Sequence, residues 1–256
     1  MFNLENKQII ITGASKGLGS VCATALSKQG ACLALMARTE SSLQEVINSC
    51  QFPEKHIAIS LDLTDMNQLR NSFKKAKDFL GSIDVVLHVV GGGLGLRDPL
   101  LDSGGLEKLF KLNIGIATEI NSLAAPDMIK RGRGNLVHVG SIASSEATGS
   151  VGYNTVKAAL AAYVRSLGRE LADSGVIVTG VLPGGFSAPG NAMTRLKKAK
   201  PDVYDKFVEE RLPRKFMGKA EEIIPMIILL CSDSASMMGG CLVPIDAGEG
   251  TAYLID

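Results

Sequence analysis

Thr12-Gly13-Ala14-Ser15-Lys16-Gly17-Leu18-Gly19 decides the fold. An apolar run at 8–12 leads straight into it, and a helical pattern over 18–29 leaves it. A strand that turns on glycine into a helix presents unpaired amides and the positive end of a helix dipole, which together suit a pyrophosphate. Glycine permits the tight turn, the close approach of backbone to phosphate, and close packing of helix on strand. The spacing is neither Gly-x-Gly-x-x-Gly nor a loop ending in Gly-Lys-Ser/Thr, so the lysine and hydroxyl that serve a nucleoside triphosphate and magnesium are not supplied. A glycine-rich turn without a ligand is the competing reading.

Outward from this turn, short apolar runs alternate with longer helical patterns. Strands are expected at 8–12, 32–37, 56–61, 85–90, 135–139, 176–182 and 240–245, with helices at 18–29, 41–49, 66–80, 106–130, 153–172 and 220–232. The runs are apolar nearly throughout, as strands covered by helices on both faces must be. The rhythm predicts an α/β fold: one domain with a doubly wound, seven-stranded parallel sheet that binds ligands at the carboxyl ends of its strands. The stretch 184–219 departs from the rhythm, with Gly and Pro signals and then charged amphipathic helices. It reads as a lid over the ligand edge, or as a helical pair that only covers the core.

Composition narrows the function classes. Of 256 residues, 46% are hydrophobic and 21% charged, which excludes a disordered chain. Lys plus Arg number 27 against 26 for Asp plus Glu, so the net charge of +1 offers no long-range field to nucleic acid or an anionic membrane. With no Trp, 4 Tyr and 8 Phe, there is little material for stacking bases. Cys22, Cys32, Cys50, Cys231 and Cys241 are odd in number and form no Cys-x-x-Cys pair, which suits neither a disulfide framework nor a metal site. The stretch Met1–Lys7 lacks the layout of a signal peptide, and the apolar stretches 83–90 and 223–231 are too short to span a bilayer. A cytoplasmic protein is expected.

Further residues point to chemistry. Ala37 stands at the end of the second strand, where a carboxylate would bind the ribose hydroxyls of NAD, and Arg38 follows it. A guanidinium there favours the extra phosphate of NADP, with Lys16 assisting; the alternative is a solvated Arg38 stacking on adenine, with NAD as cofactor. Asp62-Leu63-Thr64 closes the third strand, as a contact to the adenine or as the N-cap of the next helix. Tyr153 and Lys157 lie one turn apart on a helix face, where an ammonium would lower the phenol pKa towards neutrality. Ser141 ends the fifth strand, and Asn113 interrupts an otherwise amphipathic helix.

The turn Thr-Gly-x-x-x-Gly-x-Gly, followed by Asn113, Ser141, Tyr153 and Lys157, resembles the short-chain dehydrogenase/reductase family over essentially the whole chain. The resemblance implies that Tyr153 exchanges a proton with the carbonyl oxygen, that Ser141 orients that oxygen, and that Lys157 lowers the tyrosine pKa and holds the nicotinamide ribose. Asn113 would support a water linking Lys157 to solvent. The dinucleotide would lie against Gly13, Ser15, Lys16, Gly17, Leu18, Gly19, Arg38, Asp62, Leu63, Gly91, Tyr153, Lys157, Pro183, Gly184 and Phe186, and no metal would be required.

The chain departs from the family in three places. His88-Val89-Val90-Gly91 replaces Asn-Asn-Ala-Gly, with His88 expected to be structural. Ser141 and Tyr153 are twelve apart, one fewer than is commonest in the family. Ser187 stands, displaced by one position, for the hydroxyl beyond the Pro-Gly segment. His138 reads as a core histidine, Arg97 as a surface residue or an anion contact, and Arg195, Lys197, Lys198 and Lys200 as a solvated helix face or an anion site.

The expected activity is NADP-dependent interconversion of a ketone and a secondary alcohol, of the 3-ketoacyl-thioester reductase kind. A sugar or polyol dehydrogenase is the rival, and a dinucleotide sensor without turnover is the alternative from another class. A small carbonyl or alcohol substrate is expected, without nucleic acid or membrane partners. The resemblance also implies a homo-oligomer, tetramer or dimer, formed by the long helices at 106–130 and 153–172. Their Gly115, Ala117, Ala158, Ala159, Ala161 and Ala162 would permit close approach.

Overall fold

Residues Gln8–Thr12 form β1, whose Ile9 and Ile11 face one side and Ile10 the other, all three fully buried. That alternation, repeated in Leu33, Ala34, Leu35 and Met36 of β2 (Cys32–Ala37), feeds two separate cores, one on each face of the sheet. The computed structural model describes residues 2–252; Met1, part of the N-terminal stretch read above, and residues 253–256 lie outside the described residues.

Between these strands runs α1 (Gly17–Ser27); after them come α2 (Glu40–Ser49), β3 (His56–Ser60), α3 (Met66–Leu80) and β4 (Val85–His88). Next are α4 (Ser103–Phe110), α5 (Ile116–Arg131), β5 (Gly134–Val139), α6 (Val151–Glu170) and β6 (Val176–Pro183). The excursion holds β7 (Phe186–Ser187), α7 (Ala192–Ala199), α8 (Pro201–Arg211) and β8 (Gly218–Lys219); α9 (Ile224–Leu230) and β9 (Leu242–Ile245) complete the order. Seven strands form one parallel sheet in the order β3-β2-β1-β4-β5-β6-β9. The chain reverses direction across the sheet between β1 and β4, so their carboxyl ends open a crevice, the place where such sheets bind ligands.

The strands lie where their apolar runs predict, with corrections at the ends. β4 stops at His88 rather than Val90, because the amides of Val89 and Val90 donate to the Thr12 hydroxyl (3.2 and 3.4 Å) instead of a neighbouring strand. The single helix expected over 106–130 is two, α4 and α5, joined by a π-helical turn at Lys111–Gly115. The segment expected as a helix over 220–232 begins as a 3-10 turn at Ala220–Glu222 before α9. The excursion contains the expected amphipathic helices, but β7 and β8 also pair as a small parallel ribbon at its base. Among the described residues no helix is long and apolar enough to cross a membrane, and no cluster of His, Cys, Asp or Glu could hold a metal ion.

Candidate active site

The glycine turn is fastened to β2 by the amides of Gly13 and Ala14, both donating to the Met36 carbonyl (2.8 and 3.3 Å). Gly13 and Gly17 occupy the left-handed region at φ +69° and +64°. Gly19 has no room for a side chain: a Cβ would stand 2.3 Å from the Gly13 carbonyl oxygen. The strand and helix therefore meet more closely than any other residue allows. α1 begins without a side-chain cap; the Gly17 amide is taken by the Pro189 carbonyl, and the dipole end with the next amides of the first turn is left to a ligand.

Leu18 is buried beneath the turn, Ser15 is half-buried, and Lys16 is exposed at its rim. Arg38 is exposed just beyond β2, and Leu63 is buried below Asp62. This cradle fits a dinucleotide pyrophosphate, with cationic side chains available towards its adenosine end.

Asp62 does not cap α3. Asp65 does, accepting from the amides of Asn67 and Gln68 (2.9 and 3.1 Å), because its carboxylate is the one immediately ahead of the first helical turn. Asp62 instead accepts from the Thr64 amide and hydroxyl (2.9 and 2.8 Å), which hold its carboxyl below the usual range at the mouth of the crevice.

The four polar residues of the expected tetrad meet at the ends of β4 and β5. Asn113 sits in the π turn, which swings its side chain inward. Its amide donates to Leu109 and Gly92 carbonyls (2.9 and 3.0 Å), and its Oδ1 accepts from the Gly92 amide (3.0 Å). Lys157, 4% exposed, donates to the Val139 carbonyl at the end of β5 (3.0 Å). Gly91 lies between the two, since a Cβ there would be 2.9 Å from Asn113 Oδ1 and 3.2 Å from Lys157 Nζ.

Tyr153 presents its ring with the centroid 5.7 Å from Lys157 Nζ. Burial pushes its phenol up from the ordinary value, and hydrogen bonding with Ser141 counters that rise. Burial acts on both groups, and it pushes the amine of Lys157 down to about 8. Ser141 precedes the 3-10 turn Ile142–Ser144 and accepts from the Ala143 amide (3.2 Å), which fixes it at the end of β5.

Opposite this cluster, Pro183 ends β6 in register with Ile245, Gly184 donates to the Ile245 carbonyl (3.2 Å), and Phe186 is half-buried in β7. Ser187 turns to β8, donating to the Gly218 carbonyl (3.1 Å), so its hydroxyl is engaged in the ribbon. Arg97 is exposed in the loop after β4, and Lys197 lies over the Tyr204 ring, 5.2 Å from its centroid.

The histidines are structural. His88 and His138 stack at 4.7 Å, and Asn121 joins them: His88 Nε2 donates to Asn121 Oδ1 (2.8 Å), while Asn121 Nδ2 donates to His138 Nε2 and to the Tyr163 hydroxyl (both 3.1 Å). His138 Nδ1 completes the chain on the Thr179 carbonyl (3.1 Å). Burial pushes the imidazole of His88 down to about 4 and that of His138 well below its ordinary value. Sequence reasoning singled out both histidines but not Asn121, whose partners are distant in the chain. It also missed Pro189, whose carbonyl accepts from the Gly17 amide (2.8 Å) and so ties the excursion to the glycine turn. Glu249 was signalled only by being a carboxylate between two glycines.

An α/β sheet with a glycine cradle at its crossover and a Tyr–Lys pair beside it defines a dinucleotide-binding protein. Residues 7–199 match the model of the short chain dehydrogenase family, and the chain belongs to that family. It is an oxidoreductase of the nicotinamide-dinucleotide-dependent dehydrogenase/reductase type. Among its relatives is the ketoacyl reductase HetN of Nostoc sp., 32% identical over 204 residues, 78% of this chain and 71% of that protein. Another is the 3-oxoacyl-acyl-carrier-protein reductase FabG of Aquifex aeolicus, 25% identical and covering 96% of this chain and 98% of its own. The crystal structure of levodione reductase superposes with a TM-score of 0.89 at 23% identity, over 98% of this chain and 100% of that one, and so shares the fold.

Proposed function

We propose that the protein interconverts a ketone and a secondary alcohol with NADP, acting on a 3-ketoacyl thioester or a compound of like shape. The observation that carries this reading is the convergence of Tyr153, Ser141, Lys157 and Asn113 beside an uncapped glycine cradle. The bound dinucleotide supplies or accepts the hydride. Tyr153 gives its phenolic proton to the carbonyl oxygen during reduction and takes it back during oxidation, and Ser141 donates a hydrogen bond that orients that oxygen. Lys157, charged below about pH 8, stabilises the phenolate that remains and holds the ribose. Asn113 keeps the π turn and the residue 91–93 loop in place around that amine.

NADP is favoured over NAD by Arg38 and Lys16, both exposed cations at the adenosine end, with no carboxylate at Ala37. The ketoacyl assignment draws on the relatives, two of which are reductases of ketoacyl compounds by name. The excursion 184–219 acts as a lid, because Pro189 already reaches the glycine turn from it. α5 and α6 form the contact between subunits of a homo-oligomer, for which the exposed Ala158 and Ala162 leave room.

The test is NADPH oxidation with a 3-ketoacyl thioester and with a panel of keto-sugars, by wild type and Tyr153→Phe. The wild type is expected to turn over the thioester, and the variant to bind NADPH while losing about 10²- to 10⁴-fold in turnover. A variant near the wild-type rate, or turnover of keto-sugars alone, overturns the reading.

A further inference from the structure

Glu249 lies outside the tetrad, yet its carboxylate is among the most enclosed charges of the molecule. Its side chain is 4% exposed, and it holds two partners from different parts of the chain. Its Oε2 accepts from the Gly185 amide (2.5 Å), directly after the carboxyl end of β6. Its Oε1 pairs with Arg211 Nη2 at the last turn of α8 (3.3 Å).

The surroundings are shaped to the contact. A Cβ on Gly184 would stand 2.6 Å from Glu249 Oε2, so the turn approaches the carboxylate as closely as a bare backbone can. A Cβ on Gly185 would meet the Phe207 ring edge at 3.0 Å, and the Arg211 guanidinium lies 5.8 Å from the centroid of that ring. α8 thus lays two side chains, one turn apart, onto the turn that Glu249 grips. The other charged groups facing Glu249 are Asp246 on its own turn and Glu146 from the loop after β5. Both are engaged by backbone amides: Asp246 by Gly248 and Gly250 (3.0 Å each), Glu146 by Thr251 and Ala252 (2.7 and 3.2 Å). Among the described residues, Arg211 is the cation paired with the Glu249 carboxylate.

We propose that Glu249 is a positioning residue of the oxidoreductase: by holding the Gly185 amide and the Arg211 guanidinium together, it locks α8 of the lid to the wall of the crevice and so shapes the substrate side of the site. The proposal rests on the carbonyl-reduction reading above for its kinetic consequence, but the lock itself does not. Glu249 is enclosed while Arg211 is 38% exposed, so removing the arginine leaves a buried carboxylate without its cation, and the contact is not interchangeable with a neutral one. Burial and the two neighbouring carboxylates raise the Glu249 pKa while the Gly185 amide and Arg211 oppose that rise, so these two contacts are what hold a charge in this enclosed place.

Two variants test it: Glu249→Gln, which keeps the shape, and Arg211→Met, whose site is 38% exposed and tolerates the change without refolding the core. Amide hydrogen exchange of Gly185 and of residues 201–211 is measured without substrate, alongside kcat and KM. In both variants exchange over α8 is expected to quicken, and KM for the carbonyl substrate to rise about tenfold with kcat nearly unchanged. Wild-type exchange and KM in both variants, with only the thermal midpoint altered, overturn the proposal. Faster exchange in the variants of a wild type that reduces no carbonyl supports the lock and overturns the carbonyl-reduction reading instead.

Discussion

Lys157 shows how much a single side chain depends on where its helix is set. At 4% exposure its ammonium is penalised by burial, and its pKa falls from 10.5 to about 8. The kcat/KM profile reports ionisations of the free enzyme. Because the charged amine assists the phenolate, kcat/KM for carbonyl reduction is expected to fall as pH rises through about 8. A flat profile to pH 10 would show that the ammonium contributes nothing. At the adenosine end, Arg38 is exposed and, among the described residues, pairs with no carboxylate. Arg38→Asp is expected to raise KM for NADPH by about 10- to 100-fold and to leave KM for NADH within about threefold, since a carboxylate repels the ribose phosphate. Steady-state kinetics with both dinucleotides measures the split. The identities of these residues and their order could be read from the chain. Their ionisation could not, because desolvation is a property of the packed neighbourhood: the phenol of Tyr153 moves up, opposite to what its lysine neighbour alone suggests.

At the scale of elements, the join between α4 and α5 is instructive. Asn113 stands out as a polar residue in an apolar stripe, but a stripe cannot announce a π turn. The extra residue is accommodated because the Asn113 side chain itself donates to the Leu109 carbonyl, four residues back, in place of a backbone amide. Where β4, β5, α5 and α6 meet, the His88–Asn121–His138–Tyr163 chain binds them together. His88 is kept neutral in the folded state with a pKa near 4, while the unfolded chain takes up a proton at 6.5. Its share of the stability is complete above pH 6.5 and is lost as pH falls towards 4; His138 shifts in the same direction. Urea unfolding is expected to show wild type losing roughly 2 kcal/mol between neutrality and about pH 5 through His88. His88→Asn, which has no imidazole to titrate there, should lose correspondingly less, and an equal loss in the variant would remove His88 from the account.

For the whole molecule, the two cores explain why the sheet is enclosed. Alternate residues of one strand supply opposite faces, so α1, α2 and α9 cover one side and α3 to α6 the other. On the outer side of α6, Ala158 and Ala162 are exposed, whereas Ala117 of α5 is buried against its own sheet and takes no part in an outer contact. Sedimentation equilibrium is expected to find a dimer or tetramer, and Ala158→Arg with Ala162→Arg to yield monomer, because two long cations obstruct close helix approach. A wild type that sediments as monomer would refute the subunit contact proposed for these helices.

What the order of residues determined by itself was local in origin: the apolar runs, the glycines that let a strand turn into a helix, and the spacing of Tyr153 and Lys157 on one helix face. These depend on periodicity and backbone sterics over a few residues, and they suffice for a doubly wound sheet with a dinucleotide cradle. Only the tertiary structure decided which groups distant in sequence share a low-dielectric neighbourhood. It brought Asn121 between two histidines, set Pro189 on the glycine turn, and enclosed Glu249 between Gly185 and Arg211. Burial and hydrogen-bond geometry are sums over contacts made by many segments at once, and no short stretch of the chain contains them.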